Sequence, residues 1–281
     1  MNVGVLGGGR MGAGIAQVFA GIGANVVVVE SDDSAADAAG TRLDAGLRLA
    51  AERGTLDGSL TDAQRRVRIV TDITELPSDS ALVIEAVPEV GEMKVRVLTA
   101  AERAVSSDTV LASNTSSLSI GELGSVLVRP ERFLGMHFFN PVPVSTLVEV
   151  VLGPNTGERT QRRALDWIAL LGKTPVLVKD SPGFATSRLG VMLGLEAIRT
   201  LQEGVADAES IDRAMELGYG HPMGPLRSTD LVGLDVRLAI AEHLWQTLGD
   251  RFAPPKLLRE KVARGELGRK TGTGFYSWPS P

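Results

Sequence analysis

The chain has no cysteine. That absence excludes disulfides, thiol nucleophiles and thiolate-held metal ions, and it suits a reducing compartment. Histidine is almost as scarce, with only His137, His221 and His243. No trio of residues has metal-ligand spacing, so no metal is expected. Excess positive charge is also missing. The 29 Lys and Arg face 34 Asp and Glu, for a net charge of −5. A nucleic-acid partner, which wants a broad basic surface, is therefore not expected. A polyanionic small molecule needs only a local basic patch and stays open. No apolar run reaches membrane-spanning length, so no membrane partner is expected. The N-terminal NVGVLGGG enters a strand directly, without a basic leader or cleavage site, and a cytoplasmic location is the expectation.

What remains is an ordinary globular composition, 43% hydrophobic and 22% charged, in 281 residues. That length accommodates two domains. Over the first 180 residues, strand-like and helix-like runs alternate. Val3 to Leu6, Asn25 to Glu30, Val67 to Thr71, Ala81 to Val87 and Val110 to Ala112 read as strands. Several are apolar on both faces, as in a parallel sheet covered on both sides. Helices are expected from about Met11 to Gly21, Ser34 to Arg53 and Glu89 to Val105. Phe133 to Phe139, Leu147 to Leu152 and Thr174 to Val178 read as further strands. The pattern predicts a Rossmann-type, doubly wound, mostly parallel α/β sheet over 1–180.

Beyond Lys179 the strands stop, and a smaller all-α domain is expected over 181–281. SPGF reads as a helix start, with Ser181 capping and Pro182 at the first helical position. The helix that follows, SRLGVMLGLEAIRTLQEG, is apolar on nearly every side. Such a helix is buried on more than one face, which predicts packing against the first domain and a homodimer through the second. Asp207 is expected to cap a helix ending at Gly218, with others near Gly233 to Leu248 and Pro255 to Arg264.

GGGRMG places Gly7, Gly9 and Gly12 in a G-x-G-x-x-G pattern between the first strand and first helix. Gly7 permits a tight turn, Gly9 lets backbone approach a pyrophosphate, and Gly12 lets helix and strand pack closely. Arg10 and Met11 open the helix, whose free N–H groups and positive dipole favour phosphate. Glu30, 18 residues after Gly12, ends the second strand. A carboxylate there accepts from ribose hydroxyls and repels a 2′-phosphate, which favours NAD over NADP.

His137 and Glu149 lie symmetrically about residue 143. In an antiparallel hairpin turned by NPVPVS they would face one another on one side of the sheet. A carboxylate that orients an imidazole makes a general acid–base pair. By spacing alone, a satisfied polar pair in a core is at least an equal reading. His221 sits in a turn-like stretch with no carboxylate placed beside it, and His243 has the apolar neighbours of a structural residue.

SNTSSL, HFFNPVPVSTLVEVV, KDSPGF, LGYGHPMGPL, DLVGLD and GRKTGTGFY follow one another in order. Together they resemble the L-3-hydroxyacyl-CoA dehydrogenase family, especially its 3-hydroxybutyryl-CoA branch, over nearly the whole chain. The resemblance implies NAD-dependent oxidation of the 3-hydroxyl of a short acyl-CoA, as in fatty-acid β-oxidation. It implies that His137 takes the hydroxyl proton and Glu149 orients it. Ser116 and Asn140 would hold substrate oxygens, with Asn114, Glu89 and Lys94 near the cofactor. There are departures. The family's G-F-x-x-N-R-L reads GFATSRL, so Ser187 replaces an asparagine that contacts substrate. On the helix after Glu30, where many members carry a serine and a lysine toward coenzyme A, this chain has Gly46 and Arg53. Arg42 and Arg53, three turns apart on one helix face, are the candidates for the coenzyme A phosphates, and solvated helix charges are an equal reading. Other substrates compatible with the pattern are 3-hydroxyadipyl-CoA and sugar acids such as gulonate. A non-catalytic, crystallin-like NAD-binding protein is the remaining alternative.

Overall fold

The structure, a computed structural model, describes residues 1–279. It divides into two compact units, Met1–Ser181 and Pro182–Pro281.

The first unit is built on eight strands: β1 (Asn2–Leu6), β2 (Asn25–Val29), β3 (Val67–Val70), β4 (Leu82–Glu85), β5 (Val110–Ser113), β6 (Phe133–Phe138), β7 (Leu147–Leu152) and β8 (Thr174–Lys179). Their order in the single sheet is β3-β2-β1-β4-β5-β6-β7-β8. Neighbours pair in parallel, except that β6 and β7 are antiparallel. The helices are α1 (Arg10–Gly21), α2 (Asp33–Glu52), α3 (Leu60–Arg65), α4 (Gly91–Ala104), α5 (Ile120–Gly124) and α6 (Glu158–Leu170). Every residue of β4, β5 and β6 is buried. Side chains alternate between the faces of a strand, so both faces of the sheet centre are covered. Val3, Val5, Ile15, Phe19, Val26 and Val28 share one core, in which α1 packs under β1 and β2. The order in which strands are added turns back between β1 and β4, which pair in parallel. Ligands of open α/β sheets bind outside the strand ends at such a point.

The second unit holds α7 (Thr186–Gln202), α8 (Ala208–Tyr219), α9 (Pro225–Val232), α10 (Leu234–Leu248) and α11 (Lys256–Ala263). Val191, Leu195, Ile198, Leu226, Leu234 and Leu244 lie in its core. Asp207 caps α8 by accepting from the Ser210 N–H. The SPGF expectation is corrected. Gly183 and Phe184 have φ of +73° and +49°, a left-handed turn that a right-handed helix does not contain. The helix therefore begins at Thr186, three residues after the glycine. Helix α9 is an addition to the sequence-based reading. Its signal was present, because Gly224 caps it and Pro225 occupies its first position.

The closing segment is held by buried carboxylates. Asp230 accepts from the N–H groups of Phe275 and Tyr276 and from Trp278 Nε1, while Asp212 accepts from Leu226 N, Arg227 N and the Tyr276 hydroxyl. A Cβ at Gly274 would stand 2.2 Å from Asp230 Oδ1. The GRKTGTGFY motif is therefore glycine-rich where backbone must close on Asp230.

Candidate active site

The ends of β1, β4 and β6 build the site in the first unit. At β1, the turn into α1 depends on glycine. Gly7 has φ +91°, and a Cβ at Gly12 would lie 1.8 Å from the Gly7 carbonyl oxygen. Only a residue without a side chain allows that contact. No side chain caps α1 and no acid stands in its first turn, so the N–H groups at its start face outward for an anion. Beside them is a cavity of about 660 Å³, lined by Gly7, Gly9, Arg10, Met11, Glu30 and Arg42, among others. Glu30 is tied to the loop it serves: its Oε1 accepts from Gly8 N and its Oε2 from Ser31 N. The volume, the glycine turn and the carboxylate fit a dinucleotide.

At the end of β4 and the loop beyond it, a buried network holds the next piece. Lys94 Nζ donates to Glu85 Oε1 at 2.7 Å, to the Val87 carbonyl at 3.1 Å, and pairs with Glu89 Oε2 at 3.2 Å. Glu85 also accepts from Val87 N and from the Ser113 hydroxyl. Burial pushes the Glu85 carboxyl above the ordinary carboxylate range, and the Lys94 ammonium offsets only part of that. Burial also raises Glu89, but the Lys94 charge and the hydroxyl and amide donors outweigh it and hold that carboxyl low. Those donors are the SNTSSL segment. Thr115 Oγ1, both N–H groups of Ser116 and Ser117, and both their hydroxyls converge on Glu89 Oε1, at 2.6 to 3.3 Å.

At the end of β6, the antiparallel register sets His137 opposite Glu149. His137 Nδ1 lies 2.8 Å from Glu149 Oε2, with both side chains nearly or fully buried. A hydrogen on Nδ1 held by the carboxylate makes Nε2 the basic nitrogen of the neutral ring. Phe139 packs against the imidazole, ring centroids 4.4 Å apart. Asn114 Oδ1 accepts from the Phe138 N–H at 2.8 Å, pinning β6 one residue past the histidine. Asn140 is exposed and precedes Pro141 through a cis peptide bond. Lys173 Nζ donates to the carbonyls of Val142 and Ser145 and so clamps the connecting turn.

The 3-hydroxyacyl-CoA dehydrogenase NAD-binding domain model matches residues 2–181, and the C-terminal domain model of the same family matches 183–278. The chain belongs to the 3-hydroxyacyl-CoA dehydrogenase family. Its cofactor is NAD, the ligand of the matched domain. A probable 3-hydroxybutyryl-CoA dehydrogenase of Deinococcus radiodurans is 42% identical over 99% of this chain and 100% of its own length. The 3-hydroxybutyryl-CoA dehydrogenase of Clostridioides difficile is 40% identical, covering 99% of each. Among solved structures, an (S)-3-hydroxybutyryl-CoA dehydrogenase of Ralstonia eutropha superposes with a TM-score of 0.94 at 40% identity, over 99% of both chains.

The structure shows the surroundings of the departures from the family pattern. Gly46 of α2 meets Gln17 of α1: a Cβ there would fall 2.4 Å from Gln17 Oε1, and Gln17 Nε2 donates to the Gly46 carbonyl. A serine at that position would require the Gln17 side chain to shift. Arg42 lines the dinucleotide cavity, with Nη1 3.5 Å from the Gly8 carbonyl. Arg53 is the exposed C-cap of the same helix. The two arginines thus share a face but stand in different surroundings. Ser187 belongs to the second unit, in the first turn of α7. Glu85, Thr115, Ser117 and Lys173 had no place in the sequence-based reading. Glu85 alone carried a signal, as a single carboxylate in an apolar strand. Among the described residues, no group of three His, Asp or Glu side chains is placed to hold a metal. No described helix is long and apolar enough to cross a membrane.

Proposed function

We propose that this protein oxidises the 3-hydroxyl of short L-3-hydroxyacyl-CoA thioesters with NAD, 3-hydroxybutyryl-CoA among them, and reduces the ketone in reverse. The observation that carries the reading is the buried 2.8 Å pair of His137 and Glu149 at the end of a strand in the sheet that carries the glycine turn.

Bound NAD supplies the hydride acceptor for C3. His137 accepts the hydroxyl proton at Nε2, and Glu149 holds the ring in the productive tautomer and balances the imidazolium that forms. Ser116 and Asn140 hold substrate oxygens in attack geometry. Glu89 gathers the Ser116 loop, and Lys94 fixes Glu89, so both shape the cofactor side of the site. Asn114 sets the position of β6. Gly7, Gly9, Gly12, Arg10 and Met11 take the pyrophosphate, and Glu30 takes the adenosine ribose. Ser187 contacts substrate. Arg53 retains a charge for the coenzyme A phosphates, and Arg42 meets phosphate at the cavity rim. An intact acid–base pair weighs against a non-catalytic binding protein.

We also propose a cytoplasmic homodimer that works in fatty-acid β-oxidation. Support for a dimer is apolar exposure in the helical unit, where Leu189, Val205 and Leu217 are each at least 70% exposed. Sedimentation at micromolar concentration tests it, and a monomer rejects it. Activity is tested by following NADH absorbance with L-3-hydroxybutyryl-CoA and NAD. Turnover with NAD is expected. No NADH from any short L-3-hydroxyacyl-CoA refutes the reading.

A further inference from the structure

The chain has a net charge of −5, yet one corner of the first unit gathers arginines. Arg129 and Arg132 come from RPER, just before β6, and Arg159 and Arg163 from the start of α6. The latter two are four residues apart, so they share a helix face and repel one another. With Asp108 and Glu131, the four arginines line a cavity of about 350 Å³. Parallel β5 and β6 begin at this edge of the sheet, and antiparallel β7 ends there. The cavity is thus at the opposite end of β6 from the catalytic pair, and about 17 Å of strand separates Arg132 from His137.

Two of the arginines are fixed in place. Arg163 donates to the carbonyls of Asp108 at 2.6 Å and Ala81 at 3.0 Å, with its guanidinium over the Trp167 ring. Arg132 Nη1 donates to the carbonyls of Ser106 and Thr109. Its Nε has no hydrogen-bond partner, and Glu131 Oε1 stands 3.7 Å away. Neutral carbonyls orient these groups and leave their charge uncancelled. The other two arginines are loosely held. Arg159 is exposed and lies 3.5 Å from Asp108 Oδ1, and the Arg129 guanidinium has no ion-pair partner among the described residues. Glu102 spends its two oxygens on the N–H groups of Val128 and Arg129. Burial, and then the Arg129 charge, pulls the Arg132 guanidinium below its ordinary value, and burial with Arg159 does the same to Arg163. Four guanidinia therefore face two carboxylates, and the surplus attracts an anion. A second hollow of about 390 Å³ adjoins the first. The two share Ser107 and Arg129, and Val105, Val126 and Val128 wall the second.

We propose that this corner binds an organic phosphate monoester, with the phosphate among the four arginines and the apolar group over Val105, Val126 and Val128. Guanidinium meets phosphate through paired hydrogen bonds. A phosphate dianion matches the surplus of two positive charges, which a single carboxylate does not. Each hollow has the size of a small-molecule site. The site is distinct from the dinucleotide cavity and uses no catalytic residue, so it stands apart from the dehydrogenase chemistry.

The test is calorimetric titration of the NAD-loaded protein at low salt, with phenyl phosphate and with inorganic phosphate. Loading keeps both probes out of the dinucleotide cavity. Phenyl phosphate is expected to bind with a Kd below about 1 mM, the worth of two or three charge-assisted hydrogen bonds. It should bind about tenfold more tightly than inorganic phosphate, because its ring buries apolar surface. Replacing both loosely held arginines, Arg129→Gln with Arg159→Gln, is expected to weaken binding at least about tenfold. Arg42→Gln with Arg53→Gln should leave it unchanged. No binding below about 10 mM overturns the proposal, and so does binding that survives Arg129→Gln with Arg159→Gln. Equal affinity for the two probes overturns the assignment of an organic ligand. Arg159→Gln alone, at an exposed position, should still weaken binding about threefold, and it decides if the double variant does not fold.

Discussion

Two buried carboxylates stand in strands of the same sheet, each bonded to a basic side chain at nearly the same distance. Glu85 meets Lys94 at 2.7 Å and Glu149 meets His137 at 2.8 Å. Both acids are fully buried. Their chemistry differs because the bases differ in kind. The three donors of the Lys94 ammonium go to Glu85, Val87 and Glu89, and Glu85 is further bonded by Val87 N and Ser113. That pair is saturated and acts as a lock beneath the Glu89–Ser116 loop. Imidazole has two nitrogens, and one carboxylate bond to Nδ1 defines the basicity of the other. That pair is a proton acceptor held in one orientation. Distance and burial alone do not separate a structural ion pair from a catalytic one. The kind of base does, because imidazole exchanges a proton near neutral pH and a lysine ammonium does not.

The largest expected effect breaks the lock. Lys94→Met leaves Glu85 buried without its counter-charge, a change that costs about 3–5 kcal/mol. It is read as lost stability in urea unfolding. Removing the ammonium removes the main influence that lowers the Glu85 carboxyl, so that carboxyl rises further above its unfolded value. A group whose folded pKa is raised stabilises below its unfolded pKa and loses that contribution as pH rises through the folded pKa. The stability gap between variant and wild type should therefore narrow as pH falls toward the ordinary carboxylate range. A gap that widens in acid contradicts the lock.

The next effect breaks the other pair. His137→Ala is expected to lower kcat at least about a hundredfold, the scale of losing a general base, with melting temperature changed far less than in Lys94→Met. Glu149→Gln keeps a hydrogen-bond acceptor and removes the charge that balances the imidazolium. It should lower kcat while KM moves little, because the lost interaction belongs to the transition state. If His137→Ala unfolds the protein and Lys94→Met abolishes turnover in a folded one, the assignments of lock and base are reversed.

The contrast also explains what sequence could show. The dinucleotide turn was legible because glycine is demanded at fixed spacing by local contacts, as the 1.8 Å clash at Gly12 makes plain. The facing of His137 and Glu149 was legible because a single antiparallel hairpin converts spacing into register. The lock was not. Glu85, Lys94 and Ser113 come from two strands and a helix, joined only by the parallel pairing of β4 with β5 and the return of α4. No local spacing encodes that. Gly46 looked like a lost substrate contact, and its neighbour Gln17, 29 residues away, was not legible from local spacing. SPGF read as a helix start, but its own Gly183 and Phe184 are left-handed, and the helix begins only at Thr186.

Glu30 tests whether a carboxylate can serve both architecture and ligand. One oxygen already accepts from the glycine loop, so Glu30→Ala loses loop anchoring and ribose contact together. KM for NAD is expected to rise about tenfold, one charge-assisted hydrogen bond, and the preference over NADP to narrow. A wild-type enzyme that prefers NADP rejects the Glu30 assignment.

The smallest effect isolates one strut of the lock. Ser113 is fully buried in β5, and its hydroxyl donates to Glu85 Oε2. Ser113→Ala removes that donor but leaves Lys94 in place, so the carboxylate keeps its charge partner. The loss should be about 1.5 kcal/mol, the low end for a hydrogen bond to a charged group, read as a shift in the urea midpoint at unchanged slope. The kcat should hold, because no proton moves at Glu85. A kcat loss comparable to Glu149→Gln would mean that the two pairs are coupled through β5 and β6, and that the lock takes part in positioning the base.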